Sequence, residues 1–194
     1  MTKSTSEQFR CPRCGRTYQS PVYSFIDATG EPELQAGVLS GELFVRECPE
    51  CGLRELIGSP VVYKDENCLV CLSDRSISVE GLEGLSGRLV SNVGDLIEKV
   101  KIFHAGLDDA ALEFCKFVTR SEIGREVQLK FLRTEGVDNE IIFTYPEDSQ
   151  MQLLAVGFNV YEDCAAIIRR NPVIGESLHG LVRVDSAWVE QFIR

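Results

Sequence analysis

The chain has 194 residues, with 30 acidic against 20 basic side chains and a formal net charge of −10. Hydrophobic residues make up 44% of it, which excludes a disordered chain, and no apolar run approaches the roughly 20 residues that span a bilayer. The negative charge argues against DNA or anionic lipid as the main partner. Because the first eight residues are polar and lack a signal-peptide core, we expect a cytoplasmic protein.

The N-terminal part of the chain is predicted to be a β unit. Aromatic and β-branched residues indicate a strand over Thr17–Asp27, and Pro21 within it favours an edge or a bulge. A short helix is predicted over Glu31–Leu39, since Pro32 is tolerated near a helix start. Leu43–Cys48 is then predicted to be a strand.

A hairpin of residues 53–63 and 67–72 is expected to complete this unit. Three glycines within Glu80–Gly87 then favour a linker. The sequence therefore predicts two regions, a β unit over residues 9–80 and an α+β region over residues 88–194. The alternative is that both regions belong to one continuous domain.

Helices and strands alternate in the remaining residues. In chain order we predict a helix from an Asn92 cap to Gly106, a helix capped by Asp108, a meander of strands at 127–132, 140–145 and 150–156, a helix at 162–170, a loop at 175–180, a strand at 181–184 and a helix capped by Ser186 that runs to residue 193. Apolar residues recur at helical spacing after Asn92 and after Asp108, which gives this region enough apolar positions for a core of its own.

Four of the eight cysteines form a repeated pattern, because residues 11–15 and 48–52 both read Cys-Pro-x-Cys-Gly. Two intervening residues let both thiolates of a pair reach one ion. The proline fixes φ after the first thiolate, and the glycine permits a positive φ, so that backbone N–H groups can point at the sulfurs. Together Cys11, Cys14, Cys48 and Cys51 supply the four thiolates of a closed structural zinc site.

The identity of the metal stays open between zinc, which we favour, and iron. Rubredoxin-type iron sites use the same double knuckle, and a Cys₄ tetrahedron alone does not separate the two metals. Closing the loop of 33 residues between Cys14 and Cys48 costs about 3 kcal/mol, which structural zinc binding of about 10–16 kcal/mol outweighs. A thioredoxin-like redox pair uses one CxxC and does not explain two matching knuckles.

The other four cysteines are predicted to be structural and not to bind the metal. Cys68 and Cys71 lie in an apolar, strand-like segment that lacks the proline and the glycine. Residues three apart on a strand point to opposite faces, so both thiols cannot reach one ion. Cys115 and Cys164 lie at apolar positions of predicted helices and are expected in the core.

No catalytic residues are assigned. The two histidines, His104 and His179, are far from the knuckles in sequence, and a helix cap explains the acidic pair Asp108 and Asp109. The sequence contains no nucleophile elbow, phosphate-binding glycine loop or HExxH motif. These observations favour a protein that is not an enzyme.

The sequence thus predicts the α+β class, with a zinc-ribbon-like antiparallel β unit that carries two CPxCG knuckles, followed by a helix pair, an antiparallel meander and C-terminal helices. These motifs resemble the CpXC family, a bacterial and archaeal domain with two Cys-Pro-x-Cys motifs. The resemblance extends over about residues 9–118 and includes the segments Glu31–Leu43, Pro60–Asp65 and Leu96–Asp109. It implies that the cysteines bind metal and assigns no activity. Lys64 stands where the family usually has histidine, and a lysine cannot replace a histidine ligand.

Three functions fit this reading. The favoured one is a zinc-stabilised interaction or regulatory protein, whose C-terminal half binds a protein partner. The alternatives are a nucleic-acid-binding zinc ribbon and a rubredoxin-like iron electron carrier. Arg10, Arg13 and Arg16 surround the first knuckle, where they either contact phosphates or offset the −2 charge of a zinc ion bound by four thiolates.

Overall fold

A computed structural model describes residues 1–73 and 86–193 of the chain. These residues form a mixed α+β structure, in which N-terminal strands with a cysteine cluster precede helices and a three-stranded meander. The predicted fold class is therefore confirmed. The described residues divide into two compact units, the first formed by residues 1–73 and 89–97 and the second by residues 86–88 and 98–193.

The first unit begins with two long antiparallel strands, β1 (Lys3–Arg10) and β2 (Thr17–Asp27). The sequence analysis missed β1, because nearly all of its residues are exposed and none of the apolar alternation of a half-buried strand is present. β2 has the predicted bounds. Pro21 lies in the part of β2 that pairs with β1 alone, whereas residues 25–27 also pair in parallel with β5 (Val61–Lys64).

Short elements connect β2 to β5. They are α1 (Pro32–Ser40), a 3₁₀ turn (Glu42–Phe44), β3 (Val45–Glu47) and β4 (Arg54–Leu56). The strand predicted over residues 43–48 begins instead as the 3₁₀ turn, because Gly41 adopts φ 80° and the turn buries Phe44. β3 pairs antiparallel with β4. Since β4 is separate from β5, the strand predicted over residues 53–63 is divided in two.

The predicted hairpin is formed by β5 and β6 (Leu69–Leu72), which pair antiparallel. The carboxylate of Asp65 organises its turn, accepting the N–H of Asn67 at 2.7 Å and the hydroxyl of Tyr63 at 2.5 Å. Tyr63 and Val70 are fully buried, so the hairpin contributes central residues to the interior.

The stretch predicted as the linker, residues 80–87, lies outside the described residues except for Ser86 and Gly87. β7 (Gly87–Val90) and α2 (Val93–His104) follow, and the division between the units passes through both elements. The domain boundaries at residues 80 and 88 therefore stay a prediction. α2 begins as predicted, since the Asn92 side chain accepts the Asp95 N–H at 2.8 Å.

The second unit contains most of the helices. Its further elements are α3 (Asp109–Ile123), β8 (Lys130–Glu135), β9 (Glu140–Glu147), β10 (Gln150–Val156), α4 (Phe158–Arg170), α5 (Pro172–Glu176), β11 (Leu181–Val182) and α6 (Ser186–Glu190). The three strands form the predicted antiparallel meander in the order β10-β9-β8. Leu112, Phe143 and Trp188 belong to one buried apolar cluster that these elements share. Among the helices of the described residues, none is long and apolar enough to cross a membrane.

Several predicted boundaries in this unit were wrong. β8 begins about three residues late, and α4 begins four residues early at Phe158, whose ring packs 5.1 Å from that of Tyr161. The loop predicted at residues 175–180 begins as the short helix α5, which Asn171 caps by accepting the N–H of Val173. The sequence does contain signals for two of these helix starts, namely the Asn-Pro pair at the start of α5 and Gly157 before α4.

The cap predicted for the last helix was also wrong. Asp185, not Ser186, precedes α6, and its carboxylate accepts the N–H of Trp188 at 3.0 Å. The helix ends at Glu190 rather than at Ile193. Aspartate and serine are both common N-cap residues, so the sequence alone does not decide which of the two neighbouring positions caps the helix.

A buried ionic network joins α2, α3 and their neighbours within the second unit. Asp109 is fully buried, and its carboxylate lies 2.8 Å from Arg88 Nη2 and 2.8 Å from Lys99 Nζ. Glu98 is paired with the buried Lys116 at 2.7 Å and with Lys130 at 3.1 Å. Buried charges are stable only when they are paired in this way.

Candidate metal centre

Each CPxCG segment closes an antiparallel strand pair. Residues 11–16 connect β1 to β2 beyond the pair formed by Arg10 and Thr17. Residues 48–53 connect β3 to β4 beyond the pair formed by Glu47 and Arg54. The two connections have the same length, so the repeated sequence corresponds to a repeated local structure.

The backbone hydrogen bonds of the two knuckles also repeat. In the first, the N–H of Cys11 donates to the carbonyl of Arg16 at 2.8 Å, and the N–H of Gly15 donates to the carbonyl of Cys11 at 2.9 Å. Cys48 and Gly52 donate the two corresponding bonds of the second knuckle, both of 2.9 Å. The glycines adopt φ values of 74° and 66°, which a side chain would strain. The sequence analysis expected a positive φ at both glycines for this reason.

The four sulfurs of the knuckles come together. Cys11 Sγ lies 3.5 Å from Cys51 Sγ, and Cys14 Sγ lies 3.6 Å from Cys48 Sγ. All four sulfurs lie within 4.8 Å of one another. In a tetrahedron with Zn–S bonds near 2.3 Å the sulfurs are about 3.8 Å apart. The thiol set therefore fits a tetrahedrally coordinated metal ion.

The cysteines differ in exposure within each knuckle. Cys11 and Cys48 are buried, with 2% and 1% of their surface exposed, whereas Cys51 is half-buried and Cys14 is exposed. Tyr18 packs with the two buried cysteines, and Phe9, Cys51 and Leu53 lie against this group. The cluster thus has a small apolar base on one side and solvent on the other.

The thiols of the cluster have unequal acidities. The backbone N–H of Cys14, with that of Arg13, lowers the pKa of the Cys11 thiol to about 7 against the opposing effect of burial. The backbone N–H of Leu53 acts in the same sense on Cys51, but burial and the neighbouring sulfurs outweigh it and raise that pKa to about 12. A thiolate at one position therefore disfavours a second, and a cation among the sulfurs would remove this repulsion.

Basic residues lie in and beside the knuckle segments of the chain, and one of them was not predicted. Arg10, Arg13 and Arg16 are all exposed. The sequence analysis missed Arg46, whose guanidinium lies 4.1 Å from the centre of the Phe9 ring. A usable signal existed, since Phe9 and Arg46 each precede the first cysteine of a knuckle by two residues, and residues two apart on a strand share a face.

Three of the other four cysteines are buried as predicted, namely Cys71, Cys115 and Cys164, whereas Cys68 is only half-buried and directly precedes β6 instead of lying within a strand. Burial raises the pKa of Cys71 and of Cys164 to about 11, which keeps both as thiols. Within the described residues, only the knuckle cysteines form a group of three or more potential metal ligands.

The acidic pair and the two histidines are the remaining polar residues that the sequence analysis considered for a functional site. Asp108 caps α3 by accepting the N–H groups of Ala110 and Ala111 at 2.8 and 3.2 Å, and Asp109 belongs to the buried ionic network. His104 is the last residue of α2, and His179 follows α5. The acidic pair is therefore engaged in a cap and in ion pairs.

Comparison with known proteins supports the reading of the knuckle region. The family model described as CpXC protein matches residues 9–75, which contain all four clustered cysteines. The predicted resemblance is confirmed over this range, about a third of the chain, and the match stops short of residue 118. Searches of curated proteins and of solved structures found no match.

Proposed function

We propose that the CpXC segment holds one structural Zn²⁺ through Cys11, Cys14, Cys48 and Cys51. The observation that supports this proposal is the convergence of the four sulfurs, all within 4.8 Å of one another. Four thiolates complete a tetrahedron and leave no position for water or substrate, which is the arrangement of structural rather than catalytic zinc.

The surroundings support a stabilising role for the metal. Each knuckle is the end of one strand pair, and the apolar group beside the sulfurs consists of few residues. Such a group buries little surface, so the strand pairs need a further link to hold them together. A zinc ion bound by both knuckles supplies that link, and its binding free energy becomes folding free energy.

At the level of the whole protein, we propose a zinc-stabilised interaction or regulatory protein that binds another protein. The capping bonds of Asp108, the ion pairs of Asp109 and the closed thiol set support this over an enzyme. Because the thiols must stay reduced to bind zinc, a reducing compartment such as the cytoplasm suits the assignment. This chain shares with zinc ribbons the feature that antiparallel strand pairs end in metal-binding knuckles.

Metal analysis tests the proposal directly. Protein purified without a chelator should contain about one zinc per chain and be colourless. A red protein with one iron per chain would instead support the rubredoxin-like electron carrier. Absence of any bound metal after reconstitution with zinc under reducing conditions would overturn both assignments.

A nucleic-acid-binding ribbon is the second candidate, and the exposed Arg10, Arg13 and Arg16 beside the first knuckle are the observation that favours it. Binding of labelled single- and double-stranded oligonucleotides, measured by anisotropy at increasing salt, tests it. Affinity that falls steeply with salt and weakens in an Arg13→Ala variant would support this candidate. We expect no such binding, because the chain carries a net charge of −10.

A further inference from the structure

A tyrosine hydroxyl is buried beside the knuckle sulfurs. Tyr18 of β2 is 9% exposed, and its side chain packs with Cys11 and Cys48. Among the residues that the structure describes, its hydroxyl has no hydrogen-bond partner. Buried polar atoms in proteins are nearly always hydrogen-bonded, and an unpaired one is costly. An unpaired hydroxyl beside four potential metal ligands is explained if its acceptor forms when the metal binds.

The pairing of β1 with β2 determines where this hydroxyl lies. Phe9 and Tyr18 are directly opposite in the ladder, so their side chains share a face, and their ring centres are 6.3 Å apart. Phe9 precedes Cys11 by two positions, which places it on the face of that cysteine. Tyr18 is therefore held on the cysteine side of the strand pair.

The second strand pair brings two charged side chains to the same region. Arg46 lies opposite Glu55 in the ladder of β3 and β4, and its Nε donates to the Glu55 carboxylate at 3.3 Å. The Arg46 guanidinium also lies over the Phe9 ring. A guanidinium cannot accept a hydrogen bond, and the Glu55 carboxylate is already engaged by Arg46. In the described group that packs with Tyr18, the cysteine sulfurs are the acceptors that remain.

We propose that the Tyr18 hydroxyl donates a hydrogen bond to a metal-bound thiolate of Cys11 or Cys48 and thereby helps the site to retain its metal, an inference that rests on the proposed function. A thiol is a weak acceptor. Four thiolates around a divalent ion carry a net negative charge, and hydrogen bonds to charged acceptors are the stronger ones. The bond therefore forms together with the metal site. Tyr18 is a positioning residue, because it acts on a ligand and does not touch the metal.

Zinc affinity of the full chain, measured by competition with a chelator in reducing buffer, gives the first test. Tyr18→Phe keeps the ring that packs on the cysteines and removes only the donor. We expect it to weaken zinc binding about tenfold, as the loss of a hydrogen bond to a metal ligand commonly does. Tyr23→Phe is the matched control, because it removes the hydroxyl of a half-buried tyrosine from the same strand and should leave the affinity unchanged.

Cobalt in place of zinc gives a second readout, which a loss of packing alone would not move. The energy of thiolate-to-cobalt charge transfer depends on the sulfur lone pairs, which a hydrogen bond stabilises. Tyr18→Phe should therefore shift this absorption band to longer wavelength. Glu55→Gln tests the competing acceptor, since it neutralises the carboxylate that is paired with Arg46, and it should leave the band in place.

The outcomes separate this proposal from the zinc assignment. A wild-type chain that binds no zinc overturns both. If the wild-type chain binds zinc and Tyr18→Phe equals it in affinity or in band position, only the role of Tyr18 is overturned. A band that shifts as far in Glu55→Gln as in Tyr18→Phe also overturns that role, because the hydroxyl then acts through the carboxylate.

Discussion

Cys11 Sγ lies 3.5 Å from Cys51 Sγ, although 40 positions separate the two residues in the chain. The second close pair, Cys14 and Cys48, likewise joins the first knuckle to the second. Both of these sulfur contacts therefore run between the knuckles. A metal ion bound to all four sulfurs would link the pair β1–β2 to the pair β3–β4.

Replacing a knuckle cysteine should remove the metal. We expect Cys11→Ala and Cys48→Ala to lower the zinc content well below one per chain, because three thiolates leave the tetrahedron incomplete. Cys71→Ala is the matched control, since Cys71 is equally buried but lies in β6. Elemental analysis of the purified variants measures the outcome. Loss of zinc from Cys71→Ala or from Cys68→Ala would contradict the assignment of ligands.

Removal of the metal should loosen the knuckle strands selectively. With a strong chelator we expect amide hydrogen exchange to quicken from β1 to β6 and to stay slow in α3, β9 and α4, since the metal links only the former. Trp188 lies in the core of the second unit, so its fluorescence should change little. Uniform loss of protection would instead mean one cooperative domain, and the boundary near residue 80 would be withdrawn.

Local patterns in the sequence identified the thiol set and most of the elements. The repeated Cys-Pro-x-Cys-Gly motif determines its own turn through proline and glycine, so the knuckles could be predicted without tertiary information. The caps at Asn92 and Asp108 were found for the same reason, because a cap bonds to residues two or three positions away.

Features that depend on distant contacts were not predictable in this way. β1 shows no apolar alternation, because its pairing with β2 rather than burial of a face defines it. Glu98, Lys99 and Asp109 are all buried, since charged side chains from other elements pair with them, and no local pattern in the sequence marks that pairing. Arg46 carries a local signal, its position two residues before Cys48, but its contact with Phe9 joins residues 37 positions apart.

The corrected cap of α6 can be tested by two neighbouring substitutions. Asp185→Ala should lower the free energy of unfolding by about 1 kcal/mol, because the N–H of Trp188 loses its acceptor. Ser186→Ala is the control and should change it by only a few tenths, since surface substitutions without such contacts have small effects. Urea unfolding followed by Trp188 fluorescence measures both. A larger effect of Ser186→Ala would restore the original prediction.

Breaking the buried ionic network should be strongly destabilising. Asp109→Asn removes the carboxylate that Arg88 and Lys99 share and leaves two cations poorly compensated. We expect the free energy of unfolding to fall by about 3–5 kcal/mol. Asp163→Asn makes the same chemical change on an exposed residue of α4 and should have little effect. Equal stability of the two variants would show that the network contributes little.

Acid should weaken the same network. Burial alone would raise the pKa of Asp109 and of Glu98, but the paired cations outweigh burial and hold both below their ordinary values of 3.8 and 4.5. The unfolded chain therefore binds protons at higher pH than the folded chain. The stabilisation is complete above about pH 5 and is lost as the pH falls through these values toward the lower folded ones.

Lys116 sets the alkaline limit of that stabilisation. Although burial opposes its charge, Glu113 and Glu98 raise the pKa of Lys116 above its ordinary 10.5, so its contribution is present below pH 10.5 and declines as the pH rises through the folded value. Urea unfolding of the second unit, followed by Trp188 fluorescence, should thus show a plateau bounded by an acid limb. Since acid also protonates the knuckle thiols, the decisive comparison is between wild type and Asp109→Asn. The acid limb should be shallower in the variant, and parallel curves would contradict the assignment of that limb to Asp109.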